Sequence, residues 1–247
     1  MNITVIGDIH GCAGQLASLL SSISSLDDNY LVFLGDYVDV GPASRDVLDI
    51  LVGLKRTRPK AVFLRGNHED LLSRYLSSGD IVNYTKYGGL ATLSSYLHNP
   101  AGDIHKQFMR MFPEEHMDFI ESLADFWEVG DTLFSHAGMS PISPEDRTHA
   151  TVVSGSHAGL FDWDCEKLSV CGHYFSSDGS VRFGPTVICV DTGCGVKGGP
   201  LTALSLRDFI AYQSWPSRNG TTEAAICPSK NIQRKVNRLF RTFDDMR

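Results

Sequence analysis

The amino-acid sequence predicts an α/β protein with two sheets. Three observations carry this reading. Apolar runs of strand length alternate with helical patterns through the first third of the chain. Each of those runs leads into a glycine followed by Asp or Asn. Strand patterns then return after Phe126, without the regular helical crossovers that a parallel sheet needs.

Ile3–Ile6 is the first apolar run and leads into Gly7. Gln15–Ile23 follows as a helix, with Leu16, Leu19, Leu20 and Ile23 on one face. Tyr30–Leu34 is the second run, ending at Gly35. Ser44 is placed to cap a helix whose apolar face is Val47, Leu48, Leu51 and Leu54, with Lys55 and Arg56 where the helix dipole favours cations. Ala61–Leu64 is the third run, closing on Arg65-Gly66. His68 then opens a helix carrying Leu71, Leu72, Tyr75 and Leu76 that stops near Gly79. A β-α-β-α-β order implies parallel strands joined by right-handed crossovers.

Residues 88–123 read as helices bounded by Gly88-Gly89, Pro100 and Pro113. The later strand candidates are Trp127–Val129, Thr132–Phe134, Leu168–Cys171, Val187–Val190, Leu201–Leu206 and Phe209–Gln213. Met139–Asp164, rich in proline and glycine, reads as a surface loop. The expected division is a main domain over 1–215 and a tail over 216–247, with Pro216–Gly220 as linker and Asn231–Phe243 as a basic amphipathic helix.

Composition narrows the function. The 247 residues are 42% hydrophobic and 21% charged, enough for a substantial core. With 22 basic against 29 acidic residues the formal charge is −7, which argues against a broad nucleic-acid or anionic-membrane surface. No stretch approaches the roughly 18 apolar residues of a membrane span. The six cysteines form no C-x-x-C pair, and Met1 leads straight into a strand pattern, so the expectation is a reduced, cytoplasmic chain without a leader.

The strand ends carry the chemistry. They read Gly7-Asp8-Ile9-His10-Gly11, Gly35-Asp36-Tyr37-Val38-Asp39 and Gly66-Asn67-His68-Glu69. Two later pieces end strands in histidine: Ser135-His136-Ala137-Gly138 and Cys171-Gly172-His173. Parallel strands bring their C-terminal ends to one edge, where α/β ligand sites form. Asp8, His10, Asp36, Asn67, His136 and His173 thus gather as oxygen and nitrogen donors, a mixture suited to Mn, Fe or Zn. His-Ala-Gly also occurs at His157-Ala158-Gly159; His136 is preferred because it follows an apolar strand, and His157 reads as a solvent-facing loop residue.

In combination and order these motifs resemble the calcineurin-like metallophosphoesterase superfamily, and within it the PPP-type serine/threonine protein phosphatases of compact bacterial and phage form. The resemblance spans about residues 3–206, including Gly88-Gly89 with Ala91-Thr92, Asp191-Thr192-Gly193 and Gly199-Pro200-Leu201-Thr202-Ala203-Leu204. It implies a four-layer sandwich of two mixed β-sheets flanked by helices. It also implies two divalent ions, Mn²⁺ first among them. Asp8 and His10 hold one, Asp36 bridges, and Asn67, His136 and His173 hold the other. His68 becomes the general acid and Asp39 the carboxylate that orients it. Taken alone, Asp39 reads equally well as a loop-capping residue, and Glu69 as a helix N-terminal acid.

The sequence departs from the family where phosphate should be gripped. Val40 stands where an arginine is expected, and Leu160-Phe161-Asp162-Trp163-Asp164 lacks the second arginine. Valine cannot supply a planar cationic fork. Arg45, Lys86 and Lys197 are regional substitutes, each also an ordinary surface cation, and Arg65 reads as structural. Tyr37 and Trp163 are aromatic surfaces for a base or phenol ring, or simply packing. The leading expectation is a serine/threonine phosphoprotein phosphatase acting on a phosphorylated protein or small phosphoester. The alternative is a dinucleoside polyphosphate or phosphodiester hydrolase. From another class comes a metal- and phosphate-binding regulator with little turnover.

Direct hydrolysis needs no phosphoenzyme, so Cys12 beside the first motif should be dispensable. Cys12→Ser is expected to keep most phosphoesterase activity with Mn²⁺, and Asp36→Asn to lose it. A dead Cys12→Ser protein with normal metal content would refute the direct route.

Overall fold

The computed structural model describes residues 2–23, 29–196, 198–217 and 220–245. Its first part is the expected alternation: β1 (Ile3–Ile6), α1 (Ala13–Ser22), β2 (Tyr30–Phe33), α2 (Ser44–Thr57), β3 (Ala61–Phe63) and α3 (Asn67–Ser78). β1, β2 and β3 are parallel, with Val5 opposite Val32 and Val32 opposite Val62. A run of helices follows: α4 (Ile81–Thr85), α5 (Gly89–Tyr96), α6 (Ile104–Met111) and α7 (Glu114–Glu121).

The remaining elements are β4 (Phe126–Val129), β5 (Thr132–Ser135), α8 (His149–Val152), β6 (Leu168–Cys171), β7 (Arg182–Phe183), β8 (Val187–Cys189), β9 (Leu201–Ser205), β10 (Ile210–Ser214), β11 (Thr221–Ala225) and α9 (Lys230–Asp245). They complete two mixed sheets, ordered β11-β10-β9-β1-β2-β3 and β4-β5-β6-β8-β7. The first owes its mixed character to β9, which runs antiparallel to β1. In the second, β5, β6 and β8 are parallel while β4 and β7 are antiparallel edges.

Alternation along the strands separates two cores. Ile3, Val5 and Val32 point into an apolar layer shared with Phe134, Val170 and Ile188 of the second sheet. Ile6, Phe33 and Phe63 point the other way, onto Leu16, Leu48, Leu72 and Phe119 of the covering helices. A strand buried on both faces reads as a continuous apolar run, which is why β1 and β2 were legible. The outer face of the second sheet is covered by the 139–164 segment, where Met139, Val152 and Val153 are buried against Leu133. The expected surface loop is therefore also a packing layer.

Three local expectations change. The helix at 44 is flanked by Ala43 rather than capped by Ser44. The Ser44 hydroxyl instead accepts the Asp39 N–H at 3.1 Å. Thr221–Ala225, expected in a tail, pairs antiparallel with β10 as the edge strand of the first sheet. Lys235, a basic residue of the amphipathic helix expected over Asn231–Phe243 and so placed to face solvent, is buried instead, and its ammonium donates to the carbonyls of Cys165 and Glu166. Lys197 lies outside the described residues.

α9 covers the layer between the sheets with Ile232, Val236, Leu239, Phe240 and Phe243. Leu239→Ala should cost about 2–5 kcal/mol through lost burial and the cavity left behind. Arg241→Ala, on the exposed face, should stay within about 0.5 kcal/mol of wild type. Urea denaturation of both variants checks this, and equal midpoints would show that α9 does not stabilise the fold.

Candidate active site

The loops after β1, β2 and β3 lie side by side at one edge of the first sheet. The Ile9 and His10 N–H groups both donate to the Asp36 carbonyl, at 2.9 and 2.8 Å, and Gly11 N–H donates to Tyr37 O at 2.9 Å. Glu69 ties the second loop to the third. Its carboxylate accepts the N–H groups of Asp36 at 2.9 Å, Tyr37 at 2.8 Å and Gly66 at 2.9 Å. Burial and the nearby Asp36 carboxylate raise Glu69 to about 7. Its place is structural: as the third residue of α3 it reaches back to the N–H of Gly66, the residue before the helix.

Among the described residues, two sets of donor atoms lie mutually within 4.8 Å: His10, Asp36 and His68, then Asp36, His136 and His173. Asp36 is common to both. Its Oδ2 is 3.3 Å from His136 Nε2, 3.7 Å from His10 Nε2 and 4.0 Å from His68 Nε2. Asn67 Oδ1 completes the second set, 3.1 Å from His136 Nε2 and 2.9 Å from His173 Nδ1. Asp8 Oδ2 accepts the His173 N–H at 3.1 Å.

Each imidazole has a fixed face. A carbonyl can only accept, so His136 Nδ1 donates to Leu34 O at 2.9 Å and His10 Nδ1 donates to Val38 O at 3.3 Å. Both Nε2 atoms therefore point inward, toward Asp36. Burial lowers His10, and burial with the neighbouring His136 lowers His173 to about 4; burial also works against the His136 imidazolium, but the Asp36 carboxylate outweighs it and raises that pKa.

Charge and shape fit divalent cations. Burial raises Asp8 well above the ordinary carboxylate range, aided by Asp191 and Asp36. Burial likewise raises Asp191 to about 6. Burial also works against the Asp36 carboxylate, but the His136, His68 and His10 imidazoles outweigh it and hold that pKa below the ordinary range. Such crowding of buried carboxylates calls for positive charge from outside the chain. Shape agrees, because a Cβ on Gly66 would strike the Asp36 carboxylate and one on Gly172 would strike that of Asp8. The backbone bends to the same end: His10, Asp36, Asp39, Val40 and His173 all have positive φ, between 46° and 69°.

His68 Nδ1–H donates to Asp39 Oδ2 at 2.8 Å, leaving Nε2 toward Asp36. Burial disfavours the imidazolium, but Asp36 and Asp39 prevail and lift it to about 9. Asp39 is no surface cap. It is fully buried, and its Oδ1 accepts from Tyr84 at 2.7 Å and Thr92 at 2.6 Å. Sequence reasoning missed Tyr84 and the Thr92 hydroxyl as supports. The available signal was Ala91-Thr92 in the resemblance; Tyr84 had none. Asp191, quoted only as part of a motif, belongs to the electrostatic centre.

The remaining candidates separate. His157 is half-buried, with Nε2 donating to Thr151 O at 3.1 Å. Tyr37 is fully buried and donates to Leu64 O at 2.6 Å, so it offers no stacking surface. Trp163 packs with Leu133 and Met139. Arg65 donates to Ile120 O at 2.8 Å, a structural contact. Arg45 lies over the Tyr96 ring at 5.8 Å, and Lys86 is exposed and donates to Asn83 at 3.0 Å.

The family model for calcineurin-like phosphoesterases matches residues 1–190. The chain is a calcineurin-like phosphoesterase. Bis(5'-nucleosyl)-tetraphosphatase PrpE (asymmetrical) of Oceanobacillus iheyensis is 26% identical over 241 residues, 87% of this chain and 93% of that one. The serine/threonine-protein phosphatase PP2A-like PPG1 of Candida albicans is 37% identical over 98 residues, only 38% of this chain and 23% of its own. In fold, the chain is similar to the cold-active protein-tyrosine phosphatase of a psychrophilic Shewanella, with TM-score 0.58 and 19% identity over 87% of this chain and 77% of that one. This calcineurin-like phosphoesterase is thus a metal-dependent phosphoesterase with two candidate metal clusters sharing Asp36.

Gly172→Ala should push the Asp8 carboxylate from its place and lower bound Mn²⁺, read as metal per chain after dialysis. Gly14→Ala, where a Cβ meets nothing within 4 Å, should keep the wild-type metal content. Full occupancy in Gly172→Ala would remove the shape argument.

Proposed function

We propose that this phosphoesterase hydrolyses dinucleoside polyphosphates, in preference to the phosphoprotein substrate that the sequence motifs put first. The observation that carries the reading is length of match. The tetraphosphatase relative aligns over nearly its whole chain, whereas the serine/threonine phosphatase aligns over a short segment. Tetraphosphatases bearing that name from three further bacteria are 27–28% identical over 228–242 residues. Val40 supports the same reading, since no guanidinium fork stands at the position where the family grips a phosphomonoester.

In this reading Asp8, His10 and Asp36 would hold one divalent ion such as Mn²⁺, and Asp36, Asn67, His136 and His173 would hold the second. When bound, the ions lower the pKa of water and neutralise charge on the phosphoryl oxygens. The protein's own groups do the rest. His10 and His136 are aimed by their carbonyl partners. Asp39, locked by Tyr84 and Thr92, keeps the His68 Nδ1 proton in place. His68 carries the proton at Nε2 and gives it to the departing phosphate oxygen. A phosphate leaving group is a weaker base than a serine alkoxide, so it needs that proton less. His68→Gln should therefore cost less on a polyphosphate than on a phosphoserine peptide.

The deciding assay gives the Mn²⁺-loaded protein four substrates: a dinucleoside tetraphosphate, an aryl phosphodiester, an aryl phosphomonoester and a phosphopeptide. The dinucleotide is expected to have the highest kcat/KM and to yield two unequal nucleotides. A phosphopeptide preference would return the reading to a protein phosphatase. No turnover on any substrate, with two metals bound, would favour a regulator.

A further inference from the structure

A groove of about 700 Å³ leads away from the metal site along α3. His173 and Asn67 stand at its inner end. Leu71 and Arg74 line it further along, and Tyr87 stands at the corner between α4 and α5. Asn67, Leu71 and Arg74 are spaced to share one helical face. Arg74 is seven residues from Asn67, two helical turns or about 10 Å along the axis. That is farther than a single phosphoryl group at the metals can reach.

Two residues in the groove make no side-chain hydrogen bond or ion pair among the described residues. Arg74 is exposed, and none of the ion pairs among the described residues engages its guanidinium. Tyr87 is 57% exposed, with its ring on the groove. The groove's acids are already engaged. Asp70 pairs with His149 and lies 3.8 Å from Arg65, and Asp80 accepts from Asn83 at the start of α4. Tyr87 is also not isolated. The next residue, Gly88, accepts the Val40 N–H at 3.3 Å, and a Cβ on Gly88 would meet Val40 Cγ2 at 3.0 Å. Val40 is itself 38% exposed, so the position expected to carry a phosphate-gripping arginine presents an apolar side chain against Gly88, the residue that follows Tyr87.

We infer that this groove is the subsite for the non-reacting part of the substrate, a nucleoside polyphosphate. The Arg74 guanidinium binds phosphates distal to the metals, and the Tyr87 ring stacks on the base, with Val40 extending the apolar surface. Stacking tolerates any base because every base has a π-face. Arginine's fork suits phosphate oxygens. The assignment rests on the dinucleotide reading for its substrate, but the groove can be tested apart from turnover.

Two measurements are made on wild type, Arg74→Ala and Tyr87→Ala. The first is the ratio of kcat/KM for a dinucleoside tetraphosphate to that for an aryl phosphodiester. The second is the Kd of adenosine 5'-tetraphosphate by calorimetry. Each variant should lower the ratio, and raise Kd, by about 5- to 100-fold. An unchanged ratio in a wild type that cleaves the dinucleotide overturns the groove and leaves the function standing. If wild type cleaves no dinucleotide but binds adenosine tetraphosphate in a manner dependent on Arg74 and Tyr87, the groove stands and the function falls. Wild-type protein that does not bind adenosine tetraphosphate, or variants that bind it as tightly, overturns the groove.

Discussion

Asp8, Asp36 and Asp191 lie buried at the ends of β1, β2 and β8, within electrostatic reach of one another. Like charges so placed repel, and burial removes the water that would screen them. Much of the surrounding structure answers that constraint. Imidazoles from both sheets face Asp36, while the His173 N–H serves Asp8 and the Gly193 N–H serves Asp191. Two divalent ions are the natural complement. The −7 of the whole chain therefore misdescribes this pocket, which with metals bound attracts anions.

Holding the donors in place needs backbone conformations that L-residues resist, at about 1–2 kcal/mol each. His10, Asp36, Asp39, Val40 and His173 share that conformation. It persists because neighbouring loops bond to one another. Glu69 gathers four N–H groups across two loops, and Ser44 with Thr92 holds the Asp39 N–H. His136 spans the two sheets by donating to Leu34 O. Sheet packing and ligand orientation are thus one interaction, since separating the sheets would misdirect His136.

In the proposed reading, catalysis and substrate choice sit on different walls. The chemistry lies on strand ends and their loops, held by buried bonds. The proposed subsite lies on exposed faces of α3 and the α4–α5 corner, where side chains have little structural duty. Changes there alter what is held without moving Asp36. The Val40 position connects the two walls, being next to Asp39 in the chain and against Gly88 in space.

The candidate donor set was legible because each member follows a strand and has a glycine close by in the chain, a local pattern that needs no partner to be read. The β-α-β order was legible for the same reason, as β1 and β2 are apolar on both faces. Other features depend on residues far apart in the chain. The Tyr84 and Thr92 bonds to Asp39 cross 45 and 53 residues. Tyr37 had the composition of a stacking ring but is buried against Leu64 O. Lys235 fitted the basic stripe of its helix, yet carbonyls from a loop 69 and 70 residues away draw it inside. The sequence by itself determined which groups could bind metal and which strand ends present them, because periodicity and turn chemistry are local. Only the tertiary structure decided which side chains support them and which line the groove beside them, because burial and long-range hydrogen bonds arise when distant segments pack.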